Sequence, residues 1–295
     1  MRNLSYCSMT MIRRWHVVVL VILAVVAIAC DGAGEAAPEP TKSSKPVTRA
    51  YPSSMAALGD SITAGVGSCL AFLACGRNSW STGSGSAVES HYRRILDKNS
   101  KIKNHADNFA EPGAEADALA GQADRAVDAK AQYVTILIGA NDACAGRVEN
   151  MTPVRRFREE VDRGLGRLKK GLPKTRVLMV SIPDLYRLWE VGHKDERAAG
   201  VWSEGRICPS MLADPTSTAR ADAERRRAVR DRIDAYNTQL RKACKAYGKK
   251  CRWDGGRAHE VRFTLDLVNE IDYFHPNVEG QNELADVVYP GRIDW

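Results

Sequence analysis

The chain opens with one uninterrupted apolar run, residues 17–29 (VVVLVILAVVAIA), and later alternates short apolar segments with stretches of helical periodicity. Residues 55–58, 101–110, 133–138 (YVTILI) and 177–181 (VLMVS) read as strands, with a weaker one at 251–253. Helical patterns fill 87–98, 114–130, 153–171 and the long 218–247, and a last one follows Pro276. Strands alternating with helices predict an α/β fold with a parallel central sheet covered by helices. Such sheets carry their working residues in the loops that leave the carboxyl ends of strands.

The leading apolar run is too short to span a bilayer comfortably but suits the core of a signal peptide, and Arg13 and Arg14 precede it. Residues 1–30 are therefore expected to be an address and the mature protein exported. Ala27-Ile28-Ala29 fits ordinary signal-peptidase cleavage. "AIAC" also resembles a bacterial lipobox, with Ala27 where a larger aliphatic residue is usual, which makes Cys30 a lipidation candidate. Residues 31–51 turn to Gly, Ala, Pro, Glu, Lys and Ser without periodic apolar positions, as a flexible linker does. Residues 52–295 remain for one domain, and 44% hydrophobic content is enough for one sizeable core.

The formal charge is +7; Arg2, Arg13 and Arg14 lie in the leader, leaving +4, too little to argue for nucleic acid. The densest basic run, residues 220–234, interleaves acids that allow pairs such as Arg227 with Asp231 and Arg230 with Asp234, and reads as a solvated helix face. Beyond Cys30 stand six cysteines: Cys69, Cys75, Cys144, Cys208, Cys244 and Cys251. An even set suits three disulfides in an oxidising compartment and leaves Cys30 over, a thiol that lipid would explain. The expected locations are the medium outside the cell or, through a lipidated Cys30, the outer face of its membrane.

Four loops carry the chemistry. The first strand is followed by "GDSITAG" with Ser61, the second by "NFAEPGA" with Gly113, the third by "GANDACAG" with Asn141, and the C-terminal region holds "IDYFHPNVEGQ" with Asp272 and His275. If they converge, the site has a hydroxyl, an imidazole with a carboxylate three residues before it, an approachable glycine N–H and a side-chain amide. That inventory suits acyl transfer by a serine nucleophile. Each motif alone has a plainer reading: Gly-Asp-Ser is a common turn, Asn141 or Asp142 could cap a helix, Gly113 could be a turn glycine, and His275 could pack in the core. Among the other histidines His91 reads as a helix-face residue, His105 as part of a strand and His193 as part of a polar loop. His259 is the one rival to His275, although Gly256 stands where it would need a carboxylate. No metal-binding spacing is present, so no metal is expected.

The ordered set "GDSIT", "EPGA", "GAND" and "DYFHP" resembles the GDSL family, also called SGNH hydrolases, over nearly everything from Met55 onward. The cysteine spacing and "WSTG" (residues 80–83) are similar to secreted actinobacterial esterases and lipases of that family. The resemblance implies a flavodoxin-like three-layer α/β/α sandwich and carboxylic-ester hydrolysis without cofactor. It implies a Ser61–His275–Asp272 triad and an oxyanion hole formed by the N–H groups of Ser61 and Gly113 with the amide of Asn141. Proximity and the resemblance together suggest the pairs Cys69–Cys75, Cys144–Cys208 and Cys244–Cys251, among many connectivities that six cysteines allow.

The segment 184–216 holds Leu185, Tyr186, Leu188, Trp189, Trp202 and Met211, which could line an acyl pocket or equally pack the core; residues 70–73 with Trp80 could form an opposite wall. The expected partner is an ester, either an acyl lipid or an acetylated carbohydrate, bound by a monomer. A cell-wall or carbohydrate O-acetyl esterase, or a non-catalytic surface protein binding glycan or lipid on this fold, are the alternatives.

Overall fold

The computed structural model describes residues 51–69 and 73–295. The expected signal peptide, Cys30, the linker up to residue 50, and residues 70–72 of the expected wall lie outside the described residues.

Five strands, β1 (Met55–Gly59), β2 (Ala106–Asn108), β3 (Tyr133–Leu137), β4 (Arg176–Met179) and β5 (Cys251–Trp253), form one sheet in the order β2-β1-β3-β4-β5. Every pairing is parallel, with Met55 opposite Ala106 and Tyr133, Tyr133 opposite Arg176, and Val177 opposite Cys251. Winding outward from β1 in both directions sends the crossover helices to both faces of the sheet, giving three layers. This is why β1 and β3 are buried at every position and apolar but for Thr135 instead of alternating. Strand β2 is much shorter than 101–110: a turn of tighter 3-10 helix occupies Ser100–Ile102.

The α-helices are α1 (Ser61–Ala64), α2 (His91–Leu96), α3 (Leu119–Asp128), α4 (Ala140–Ala143), α5 (Val154–Gly171), α6 (Leu185–Gly192), α7 (Glu196–Gly205), α8 (Pro209–Leu212), α9 (Arg220–Tyr247), α10 (Arg257–Glu260) and α11 (Val278–Val288). In α9 the buried positions Arg226, Val229, Ile233, Tyr236, Leu240, Ala243 and Tyr247 recur every three or four residues, the spacing of one helix face. Phe157 of α5 stacks on Tyr236 of α9 with ring centroids 4.1 Å apart. Among the described residues no helix is long and apolar enough to cross a membrane.

The basic run at the start of α9 differs from a solvated face. Arg226 is buried: its guanidinium lies 4.3 Å from the ring centroid of Trp189 and donates to the carbonyl of Ser217 at 2.7 Å. Arg225 donates to the carbonyls of Pro209, Ser210 and Ala213. Arg230 pairs with its neighbour Asp231 and not with Asp234. These arginines thus fasten the segment between β4 and α9 through its backbone carbonyls.

The aromatic residues of that segment go mainly into packing. Leu185, Leu188, Trp202 and Met211 are buried in the core. Trp80 is also fully buried, edge-on to His91, and forms no wall of the groove described below.

Candidate active site

The site lies beyond the carboxyl ends of β1 and β3, where the direction of winding reverses and the loops diverge to leave a crevice. Chain leaves β1 through Gly59 because no other residue fits: its φ is +148°, and a Cβ there would stand 2.1 Å from the carbonyl oxygen of Leu137. The buried side chain of Gln122 clamps the same residue, accepting from Gly59 N–H at 2.7 Å and donating to its carbonyl at 2.9 Å. Asp60 then caps α1, its Oδ1 accepting from Ile62 N–H at 3.0 Å. Ser61 is the first residue of α1, so its own N–H has no acceptor within the helix.

His275 stands across the crevice with Nε2 2.8 Å from Ser61 Oγ, while its Nδ1 lies 2.5 Å from Asp272 Oδ2. The loop that carries both is folded around Asn269. The amide of Asn269 donates to Asp272 Oδ1 at 2.8 Å and to the carbonyl of His275 at 3.1 Å, and its Oδ1 accepts from Ile271 and Asp272 N–H. Asp272 Oδ1 also accepts from the N–H groups of Phe274 and His275. A three-residue spacing works because the turn between them is closed by the carboxylate itself, with Tyr273 in the left-handed region at φ 51°.

The loops after β2 and β3 are joined to each other. Asn141 donates one amide hydrogen to the carbonyl of Ala114 at 2.9 Å, and Asp142 Oδ2 accepts from Ala116 N–H at 3.0 Å. The second hydrogen of the Asn141 amide is left to point elsewhere. Gly113 has φ +81°, and a Cβ there would meet open space. Glycine is required by the backbone conformation and not by crowding. Burial pushes the Asp142 carboxyl up to about 7 and that of Asp60 likewise to about 7.

Ser61, Gly113, Asn141, Asp272 and His275 all line one groove of about 680 Å³. Its other walls are Val66, Leu73, Val201, Ile207, Ile271 and Phe274, and Leu73 and Ile271 stand at 70% and 54% exposure. Disulfides join Cys69 to Cys75, Cys144 to Cys208 and Cys244 to Cys251. The second links the end of α4, three residues after Asn141, to the groove wall before α8.

Of the other histidines, His259 is remote from this groove: its Nδ1 lies 2.9 Å from the carbonyl of Ile182 and its Nε2 3.3 Å from Asp234. His91 is buried, with Nδ1 3.1 Å from the Tyr133 hydroxyl, and burial depresses its pKa to about 3. His193 stacks on Trp189. Among the described residues no three His, Cys, Asp or Glu side chains gather as a metal site. Sequence reading missed Gln122 and Asn269, and named Trp202 without its bond to the loop of Asp272. Only Asn269, an Asn three residues before Asp272 in a polar loop, left a local signal.

The model of the GDSL-like Lipase/Acylhydrolase family matches residues 57–282. Among solved structures, a Parabacteroides merdae protein described as a GDSL-like lipase aligns with a TM-score of 0.51 at 16% identity, over 79% of this chain and 92% of its own. An extracellular lipase from Streptomyces rimosus (TM-score 0.48, 16% identity, 80% and 97% covered) and phospholipase A1 from Streptomyces albidoflavus (0.45, 19%, 80% and 97%) are also similar. No curated protein matches the chain.

Proposed function

The chain belongs to the GDSL-like lipase/acylhydrolase family, and from that premise we propose that it is an exported carboxylic-ester hydrolase with Ser61 as nucleophile. The observation that carries this is the continuous relay Ser61 Oγ–His275 Nε2 at 2.8 Å and His275 Nδ1–Asp272 Oδ2.

In the proposed reaction Ser61 Oγ attacks the ester carbonyl carbon as His275 Nε2 takes its proton, and Asp272 holds the imidazole in the tautomer that accepts there. The carbonyl oxygen becomes an oxyanion received by Ser61 N–H, Gly113 N–H and the free hydrogen of the Asn141 amide. Collapse breaks the bond to the alcohol, which leaves with the proton from His275. Water then attacks the acyl-serine by the same sequence, releasing the acid and restoring Ser61. Asn141 suits its place because a neutral donor, already oriented by Ala114, gains most when the oxyanion forms.

The aliphatic walls of the groove favour an acyl chain longer than acetyl. Export is supported by three disulfides, which persist outside reducing compartments. Cys30 is proposed to carry lipid, and mass spectrometry of the mature N-terminus tests that separately.

A panel of 4-nitrophenyl esters from acetate to decanoate, with wild type and Ser61→Ala, tests the function. Turnover by the wild type that disappears in the variant, and a phosphonate adduct on the Ser61 peptide, are expected. Equal turnover by Ser61→Ala would remove the mechanism, and activity on acetate alone would favour an O-acetyl esterase.

A further inference from the structure

We infer that Arg206 is a specificity residue of this groove and that the preferred ester carries an anionic oxyacid group, a carboxylate or a phosphate, beside its hydrocarbon chain. The inference rests on the reading of Ser61 as nucleophile.

Among the described residues the charged or ionisable groups lining the groove are Asp272, His275 and Arg206. Asp272 is fully engaged: its carboxylate accepts from Asn269, from two backbone N–H groups and from the His275 ring. His275 is bound at both nitrogens. Arg206 is exposed, and among the described residues no carboxylate lies within ion-pair distance of it and no carbonyl takes its hydrogens. Several arginines elsewhere are engaged. Arg225, Arg226 and Arg232 donate to backbone carbonyls, and Arg93, Arg94 and Arg125 pair with acids. Among the described residues Glu204, on the last turn of α7, is exposed and makes no ion pair, and Glu111, next to the groove residue Pro112, is taken by Arg125.

Its backbone also sets Arg206 apart. It ends α7 in the left-handed region, φ 50° and ψ 39°, a place that glycine fills more readily. Two residues on, Cys208 is left-handed as well, φ 45°, and is bridged to Cys144 beyond Asn141. The backbone at Arg206 thereby lies between a helix end and the covalent tie to the loop of Asn141, and Val201, Ile207 and Pro209 line the same groove. A guanidinium without a partner among the described residues, in a groove with apolar walls, suits an amphiphile, since its planar fork takes a carboxylate or phosphate in two parallel hydrogen bonds.

The test compares kcat/KM for two pairs of soluble, monomeric esters. Mono-4-nitrophenyl glutarate against 4-nitrophenyl butyrate places the charge on the acyl side; dihexanoylphosphatidylglycerol against dihexanoylglycerol places it on the alcohol side. Wild type is expected to prefer the anionic member of one pair, which identifies the source of the anion. In R206Q the anionic-to-neutral ratio for that pair falls about tenfold, as loss of a charge-assisted bond would give, and it falls further in R206E. Ratios indistinguishable from wild type in both variants and both pairs, or a wild type that prefers the neutral member of each pair, overturn the assignment. Failure of the underlying hydrolase reading looks different: S61A then hydrolyses these esters as well as wild type does, and the role of Arg206 falls with it.

Discussion

The indole N–H of Trp202 donates to the carbonyl oxygens of Asp272 and Tyr273, at 3.1 and 3.2 Å. A helix of the segment between β4 and α9 therefore holds the backbone of the loop that carries Asp272 and His275. Trp202 is 1% exposed and so close to Gly192 that a Cβ on that glycine would stand 2.1 Å from its ring. Placed in this way the indole is rigid. Tyr273, the residue it holds, is the one with left-handed backbone between Asp272 and His275.

Trp202→Phe keeps most of the packed ring and removes only the donor. A drop of about tenfold in kcat with little change in KM is expected, because the loop loosens about Asp272 while the groove walls remain. The rate of phosphonate labelling of Ser61 should fall in parallel. If only the melting temperature moved, Trp202 would be a packing residue and nothing more.

Asn141→Ala removes the one side-chain donor proposed for the oxyanion. The cost should be about 10²–10³ in kcat, the loss found when one such donor is deleted. The melting temperature should move little, since Asn141 is half-buried and its bond to the Ala114 carbonyl is a single link. Steady-state kinetics on the best 4-nitrophenyl ester measures it, and a loss smaller than about threefold would place the oxyanion elsewhere.

The strands and the four loops were legible because each advertises itself locally. The parallel sheet buries β1, β3 and most of β4 on both faces, and continuous apolar runs follow from that. Gly113 and the Asp272–His275 spacing are likewise demanded by backbone geometry within a few residues, while Gly59 answers both to its own φ and to the distant Leu137 carbonyl. What stayed hidden was whatever depends on distant partners. Trp202 meets Asp272 across 70 positions of sequence, and Gln122 meets Gly59 across 63. The aromatic residues of 184–216 could be pocket wall or core alike, and Trp80 could be a wall, because composition does not say which side of a segment faces the core. Arg226 looked solvated for the same reason, until Trp189 and the carbonyl of Ser217 surround it.

The disulfide Cys144–Cys208 spans 64 positions, against 6 for Cys69–Cys75, so it restricts the unfolded chain far more. Replacing both Cys144 and Cys208 with serine should cost about 2–4 kcal/mol in urea unfolding, and the Cys69/Cys75 double variant less. Because the bridge also ties the groove wall to the loop of Asn141, the first variant should lose activity at temperatures where it is still folded. An equal cost for the two would mean that chain restriction does not set their contributions.

Acid should destabilise the protein through His91. This ring is enclosed by Trp80, Tyr133 and Tyr289, faces the positive charges of Arg94 and Arg257, and is held neutral by burial, with its pKa lowered from 6.5 to about 3. Between those values the unfolded chain binds a proton that the folded one refuses, so stability is lost as pH falls through the window. Asp60 and Asp142 act in the opposite sense. Their carboxyls, raised from 3.8 to about 7, take up protons in the folded state first and favour it as pH falls. Comparing His91→Phe with wild type cancels both, along with the fixed cost of leaving the Tyr133 hydroxyl without its partner. The wild type should lose about 3 kcal/mol more than the variant between pH 7 and pH 4 in urea unfolding. Parallel pH profiles would show that His91 accepts its proton within the folded core.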